Sequence, residues 1–576
     1  MRSLADERWA EITDRAFNLM TAIENARDRN GRTIAERFPF SGTSLWFLMR
    51  DALFERDGGV LDVVARANNP PFFDRQSTIS ETSSNEALPL VPPIGLFDRR
   101  FAQSKTAIES ISRTLLGSLH PRSRSNLLVI APHGAASRRA LDPPLDRWSE
   151  PYRTVLIGKH STWVSLFPPT RTGAWSRDLF SDWRAIGSHR YVPWQAGISV
   201  FDWLLLAQRR RWFRKQLHSL WNDQAWRASW SDAMPLTGRS DAILEIHSIF
   251  QALDRDLGLA SLLVKAAEAL VEQTRPSIVV TFDTLGNAGR AFTHAAHQAN
   301  IPTVGIQTGI ISSSGISNLG YRLDRADPRA PRPGHLLLWG PHYVEILKSI
   351  GWPIESLHSV GFEERKLATT PSIQSGISGT SPRSTIRRIL LLANANVGIC
   401  SAINRPAEEL RLIEQFIKSI NRQSSASRFH VLVRCHPATV GTAYGYDLAR
   451  LCSESANTDL DSGGVPLSER IAESDIIVGS SSTSLIEAAK AGRPVVLLSP
   501  SGIDITGFQQ YGIPSIDPTD DIGRRLSQIL QDESGLQLAR QKLVAHVAPD
   551  LDLDAVATML QHWTGVKPGV SSGTSN

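Results

Sequence analysis

Two series of short apolar runs, each alternating with amphipathic stretches, constrain this chain more than any other feature of it. In the later series RRILLLANAN, AEELRLIEQFIKSI, HVLVRC, LSERIAES, DIIVG, LIEAAKAG and PVVLLS follow one another from residue 387 to 499. The apolar runs are too short for core helices and read as strands covered on both faces, while the stretches between them have the length and period of crossover helices. Parallel strands require such crossovers, so the pattern predicts an open parallel sheet. An earlier series does the same with LLVIAPHG, YRTVLIGKH, PSIVVTFD, TVGIQTG, HLLLWG and LHSVGF. Asn300 and Pro302, between a helix at 289–299 and the strand TVGIQTG, supply a left-handed stop followed by a residue that cannot continue a helix. Two sheets need two cores, and 576 residues suffice for both.

Composition shifts mark the boundaries. Residues 1–120 read as a mainly helical N-terminal extension and 121–364 as the first sheet domain, with a tryptophan-rich helical insertion over about 160–275. The segment LATTPSIQSGISGTSPRST is poor in large apolar residues, so 365–385 reads as a linker; 386–567 forms the second sheet domain and 568–576 a disordered tail.

With 41% hydrophobic and 21% charged residues and no long apolar run, the chain is expected to be globular, with no bilayer-spanning segment. Its opening carries acidic residues and no apolar leader, so a cytoplasmic location is expected. Three cysteines without CxxC spacing predict reduced thiols and no zinc site. The net charge of +5 is spread among interleaved acids and bases, and nucleic acid is not an expected partner. Residues 201–221 are the exception: Arg209, Arg210, Arg211, Arg214 and Lys215 stand among Trp203, Leu206, Trp212, Phe213, Leu217 and Trp221. That segment reads either as a core helix with a solvated basic face or as a peripheral contact with an anionic membrane, at its cytoplasmic face.

Chemistry concentrates at two strand ends of the second domain. FHVLVRCHP closes on Arg434, His436 and Pro437, and SDIIVGSSSTSLIEAAKAG carries Ser480, Ser481, Ser482, Thr483 and Ser484 where a strand hands over to a helix. Unpaired N–H groups and the dipole of a helix start, joined by hydroxyls, suit a phosphate. Ser484 and Glu487 also have capping-box spacing, so part of the pattern serves the helix itself. Ligands of open α/β sheets bind beyond the carboxyl ends of strands, which puts both clusters at one crevice. A histidine there can donate to a phosphate oxygen and stabilise charge on a leaving group.

VLVRCHP, SERIAESDIIVGSSSTSLIEAAKAGRPVVLL, PSIVVTFDTLGNAGRAFTHAAHQANIPTVGIQTG, HLLLWG and SVGF together resemble the GT-B superfamily of glycosyltransferases. Within it they are similar to bacterial surface and capsular polysaccharide transferases and to CDP-glycerol glycerophosphotransferases. The resemblance covers about 276–530 and implies two Rossmann-like α/β domains facing a cleft. It further implies a nucleotide-activated donor held by Arg434, His436, Ser480, Ser481, Ser482, Thr483 and Glu487, a glycan or glycolipid acceptor, and no required metal or cofactor. The acceptor side would be formed near Gly286, Gln307 and Thr308. Related sequences commonly carry a histidine where this chain has Thr308, and a threonine cannot take a proton at neutral pH. Asp283 is then the first candidate for the base and His133 the second, although one reads equally well as a loop cap and the other as a turn residue. Sugar-nucleotide 2-epimerases share the architecture, and a catalytically inactive binding or scaffold protein is the remaining alternative. GNAG lacks the three-glycine spacing of a dinucleotide site, so NAD is not expected. His294 and His297 have helical spacing without a third ligand and are expected to belong to a packed or surface helix.

Overall fold

A computed structural model describes residues 4–50, 60, 64, 127–131, 150–156, 161–165, 190–231, 239–312, 316–363, 387–393, 406–422, 429–436, 439–440, 442–499, 503–517 and 520–564. The first sheet contains β1 (Leu127–Ala131), β2 (Ser161–Ser165), β3 (Arg190–Pro193), β4 (Ile278–Thr281), β5 (Thr303–Ile306), β6 (His335–Leu338) and β7 (Leu357–Ser359). The second contains β8 (Arg387–Ala393), β9 (Phe429–Cys435), β10 (Thr458–Asp461), β11 (Ile476–Gly479), β12 (Val495–Leu498) and β13 (Ser515–Ile516). Among the described residues, the helices of eight residues or more are α1 (Leu4–Asn25), α2 (Val200–Trp221), α3 (Gln224–Ser231), α4 (Arg239–Thr274), α5 (Asn287–Gln298), α6 (Ile316–Ala326), α7 (Pro341–Ser349), α8 (Pro406–Arg422), α9 (Ala443–Ser453), α10 (Thr483–Lys490), α11 (Ile522–Gln531), α12 (Glu533–Val547) and α13 (Leu553–Thr564).

Strands run β3-β2-β1-β4-β5-β6-β7 in the first sheet and β10-β9-β8-β11-β12-β13 in the second. Every pair within them is parallel. The chain is thus an α/β protein with two doubly wound sheets. In each, strand order reverses once, between β1 and β4 and between β8 and β11, which creates a crevice at the carboxyl ends of those strands. β4, β5, β11 and β12 are buried at every position, as strands with helices on both faces must be.

The strand expected at YRTVLIGKH is corrected. Its start belongs to a short 3-10 turn, Glu150–Tyr152, and a helix, Arg153–Leu156, and the pairing strand is Ser161–Ser165. Apolar run length alone does not separate a buried strand from one buried helical turn. The 160–275 insertion is also not wholly helical, because β2 and β3 extend the sheet within it. Its helices join the N-terminal ones in one lobe: Trp9, Leu19, Trp46, Trp226, Phe250, Leu257 and Phe292 share a single apolar core. Trp221, Trp226, Trp230 and Phe250 pack ring against ring there, with centroids 5.4–6.2 Å apart. A fully buried ionic group pins that lobe to the sheet. Arg50 pairs with Glu24 and Asp324, and Arg290 of α5 pairs with the same Asp324 and donates to the Phe47 carbonyl. Removing one member strands its partner's charge and costs about 3–5 kcal/mol.

A second core spans both sheets, with Trp339, Tyr343 and Phe362 from one and Leu485, Phe508, Leu543 and Val547 from the other. The return of the chain to the first domain is tightly made. Lys490 Nζ donates to the carbonyls of Phe362 and Ala548 and pairs with Asp550 at 2.9 Å. α13 then packs on the first sheet, with Val556 and Leu560 in the core of Val129, Val280 and Ile306. The second domain expected over 386–567 accordingly gives its last helix to the first. The 365–385 linker and the 568–576 tail lie outside the described residues.

Candidate functional site

β11 is apolar at all four positions and ends on Gly479, after which Ser480 and Ser481 lead into α10. The N-cap is Ser482, whose Oγ accepts the Ser484 N–H at 3.2 Å; the Ser484–Glu487 pair expected to form a capping box starts two residues later. Gly492, at φ +83°, closes the helix in the left-handed conformation that Gly adopts without strain. Glu487 is buried, 4% exposed, in the second turn. Ser480 Oγ and Ser481 Oγ are both buried and have no hydrogen-bond partner. A buried hydroxyl without a partner is costly to keep, and here two stand side by side in front of the N–H groups of a helix start, at the reversal point of the sheet.

Registration of the strands locates the other cluster. Leu392 of β8 pairs with Arg434 on one side and Gly479 on the other. His436 and Ser481 thus leave neighbouring strand ends on either side of β8, separated by two strand spacings, about 10 Å. A bare phosphate cannot bridge that gap; a nucleoside diphosphate linked to a second group can. The His436 N–H donates to the Ala393 carbonyl, which continues the ladder by one residue, and its own carbonyl receives the Thr439 N–H and hydroxyl. These bonds hold the loop and leave its ring half-buried at the crevice rim. Pro437 lies outside the described residues.

Arg434 is placed differently from a free phosphate ligand. Its Nη1 donates to Asp461 Oδ2 at 2.6 Å and to the Val465 carbonyl at 2.8 Å, tying β9 to β10. Burial pushes the Asp461 carboxyl up, but the Gly463 N–H, Arg434 and Arg470 outweigh it and hold the group below its ordinary value. Arg434 therefore carries a structural ion pair at the edge of the crevice.

On the first sheet, Asp283 follows β4, one of the two strands at the reversal point. Its Oδ2 accepts the Gly289 N–H at 3.0 Å, and its own N–H donates to Thr281 Oγ1. Gly286 and Gly289 are needed for that wrap: a Cβ on Gly286 would meet Asp283 Oδ1 at 2.1 Å, and one on Gly289 would meet the Asp283 carbonyl oxygen at 1.5 Å. Asp283 thus caps α5 and keeps its carboxylate half-exposed at the crevice. His133, the second candidate base, lies outside the described residues. Gln307 is buried and cross-braces two strand ends: Oε1 accepts the Trp339 N–H, Nε2 donates to the Gly309 carbonyl, and its carbonyl accepts the Trp339 indole N–H. Thr308 is left half-buried beside it. Leu285 and Ile311, just past these two loops, belong to the same apolar cluster as Leu485 and Ile486 of α10. The expected acceptor-side loops and the Ser cluster thus border one interdomain seam.

Sequence reasoning missed one part of that seam. The loop after β12 folds around Asp504, whose carboxylate accepts from the N–H groups of Thr506, Gly507 and Gln509 and from the Thr506 hydroxyl. Burial raises the Asp504 pKa against the pull of those donors. The loop meets His342 near the start of α7: His342 Nε2 donates to the Thr506 carbonyl at 3.3 Å, and Nδ1 faces Gln510 and the Tyr511 hydroxyl at 3.1 and 3.0 Å. SPSGIDITG, a stretch with Pro, two Gly and an Asp directly after a buried strand, was the available signal. His294, buried, bonds to the Ser41 carbonyl, and His297, on the exposed side of α5, to Thr303 Oγ1. Among the described residues, no cluster of histidine, cysteine and carboxylate groups has the form of a metal site.

No protein-family model matches the sequence, and none of the curated proteins compared with it does. Among solved structures the chain is similar to a candidate UDP-N-acetylglucosamine 2-epimerase from Listeria monocytogenes, at 11% identity and TM-score 0.45, over 77% of this chain and 98% of that one. It is similar to an alpha,alpha-trehalose-phosphate synthase (UDP-forming) from Burkholderia vietnamiensis, at 12% identity and TM-score 0.43, over 76% of this chain and 100% of that one. The glycosyltransferase SnogD from Streptomyces nogalater aligns at 15% identity and TM-score 0.38, over 77% of this chain and 100% of that one. Overlap at this level assigns no chemistry, and the reaction has to be read from the residues.

Proposed function

We propose that the chain is a GT-B-type glycosyltransferase that moves a sugar from a nucleotide-activated donor to a glycan or glycolipid acceptor of the cell surface. The observation that carries this reading is the pair of buried, unpartnered hydroxyls of Ser480 and Ser481 in front of α10. A phosphate oxygen would satisfy both and would meet the partial positive charge of the helix start. His436, two strand spacings away, would reach the far end of a diphosphate. In the reaction an acceptor hydroxyl oxygen bonds to the sugar's anomeric carbon as the bond from that carbon to the phosphate oxygen breaks. The electron pair leaves on the phosphate, where Ser480, Ser481 and His436 stabilise the developing charge, so neither metal nor cofactor is required. The acceptor's proton passes to a base, for which the half-exposed carboxylate of Asp283 is the candidate; Thr308 cannot serve.

A thermal-shift panel of UDP-, GDP-, CDP- and CMP-linked donors tests the reading. One donor class should raise the melting temperature, and Ser481→Ala should reduce the rise. Stabilisation by CDP-glycerol alone would move the assignment to glycerol-phosphate transfer. Turnover of UDP-GlcNAc without an acceptor would move it to epimerisation. Silence across the panel would overturn the donor site and favour a scaffold.

A further inference from the structure

We propose that the outward face of α2 docks this protein on the surface of an anionic lipid bilayer. The inner face of the helix is already committed: Phe213, Leu217, Leu220 and Trp221 are buried in the helical lobe. Gly258 of α4 lies so close that a Cβ there would meet the Arg210 side chain at 2.8 Å. The helix cannot roll to hide its other side. On that other side Phe201 is 65% exposed, Leu204 70% and Trp212 44%. At about 100° per residue, Phe201, Leu204, Gln208, Arg211, Trp212 and Lys215 share an arc of roughly 100° and a length of about 20 Å.

The charges sort by face as well. Arg209 is paired with Asp202 of the same helix, and Arg210 and Arg214 share Asp254 of α4, so two carboxylates offset part of the charge of these three. Arg211 and Lys215 enter no ion pair among the described residues and sit on the exposed arc. Large apolar side chains alternating with unpaired cations match a layer in which acyl chains and lipid phosphates lie at adjacent depths. A nucleic acid would use the cations and leave Phe201 and Leu204 in water. A second copy of the chain would bring like charges face to face. The inference is independent of the nucleotide reading, since α2 contributes nothing to the Ser480–His436 crevice.

The experiment is co-sedimentation of the full chain with vesicles of phosphatidylcholine alone and of phosphatidylcholine mixed with phosphatidylglycerol. Binding should need phosphatidylglycerol and weaken with salt. The Arg211→Glu/Lys215→Glu variant should lose at least about fivefold in partitioning per residue. Phe201→Ser/Leu204→Ser, at the two most exposed apolar positions of the arc, should lose binding while its melting temperature stays close to that of the parent. Equal sedimentation with both vesicle types, or binding untouched by both variants, would overturn the proposal. So would a dimer in light scattering that either variant turns into a monomer, because a second copy would then be what covers the face.

Discussion

Lowering the pH should loosen the junction between the two domains through His342. The imidazole is only 6% exposed; Nε2–H donates to the Thr506 carbonyl, and Nδ1 faces the Gln510 amide and the Tyr511 hydroxyl. Protonating Nδ1 puts a charge into this buried seam and an N–H against an amide donor. Burial drives the pKa from the ordinary 6.5 down to about 4, with the Thr506 carbonyl opposing it in part and His546 adding to it. Between those two values the unfolded chain holds a proton that the folded one refuses. The contribution of His342 to stability is therefore full above pH 6.5 and is lost as the pH falls toward 4, at a total of about 3 kcal/mol. Other histidines whose pKa burial lowers, among them His335 and His358, add to the acid response, so the parent protein alone is not a sufficient measurement. His342→Gln keeps a donor and an acceptor and does not titrate. Urea unfolding of parent and variant at about pH 7 and about pH 4 should show the parent losing roughly 3 kcal/mol more than the variant. Identical losses would refute the buried neutral imidazole as the source of the effect.

Ser481→Ala removes a buried hydroxyl that has no partner, so urea unfolding should show stability unchanged or raised by up to about 1 kcal/mol, while donor affinity in a titration falls about tenfold. Asp283→Ala loses the cap of α5, which calorimetry should register as about 1 kcal/mol; Asp283→Asn can keep the cap, so transfer abolished with the fold intact separates a base from a cap. Gly361→Ala should be severe: φ is +89° and its Cβ would stand 2.1 Å from the Asp550 carbonyl oxygen, so the melting temperature should drop by several degrees. Arg434→Met leaves Asp461 with Arg470 as its one cation among the described residues and should cost about 1–3 kcal/mol in urea unfolding, even without donor.

Much of the fold was legible because its central strands are covered on both faces. IVVT, HLLL, IIVG and VVLL can be nothing but buried segments, and the punctuation between them is local: Asn300 adopts φ +54° where a stop was expected. YRTVLIGKH misled because a helical turn buried on one side carries the same apolar run. The Ser cluster was legible as a helix start, since capping chemistry is local. That Ser480 and Ser481 end up buried without partners was not legible, because burial depends on everything packed around them. The internal partners of Arg434 and Asp283 were not legible either. Each is satisfied within the protein, one by a carboxylate 27 positions away and the other by the helix it caps.

By itself the sequence determined two parallel sheets, their crossover helices and the two strand-end clusters, since apolar period, helix stops and caps act over a few residues. The order of the strands was a tertiary decision. It puts Ser480 and Asp283 at the reversal point of each sheet, brings His342 against the Thr506 loop, and returns α13 to the first domain. Which buried hydroxyl stays unpartnered and which charge finds a counter-ion depends on contacts between residues far apart in the chain. Those contacts form only when the helical lobe, both sheets and the seam between them pack together.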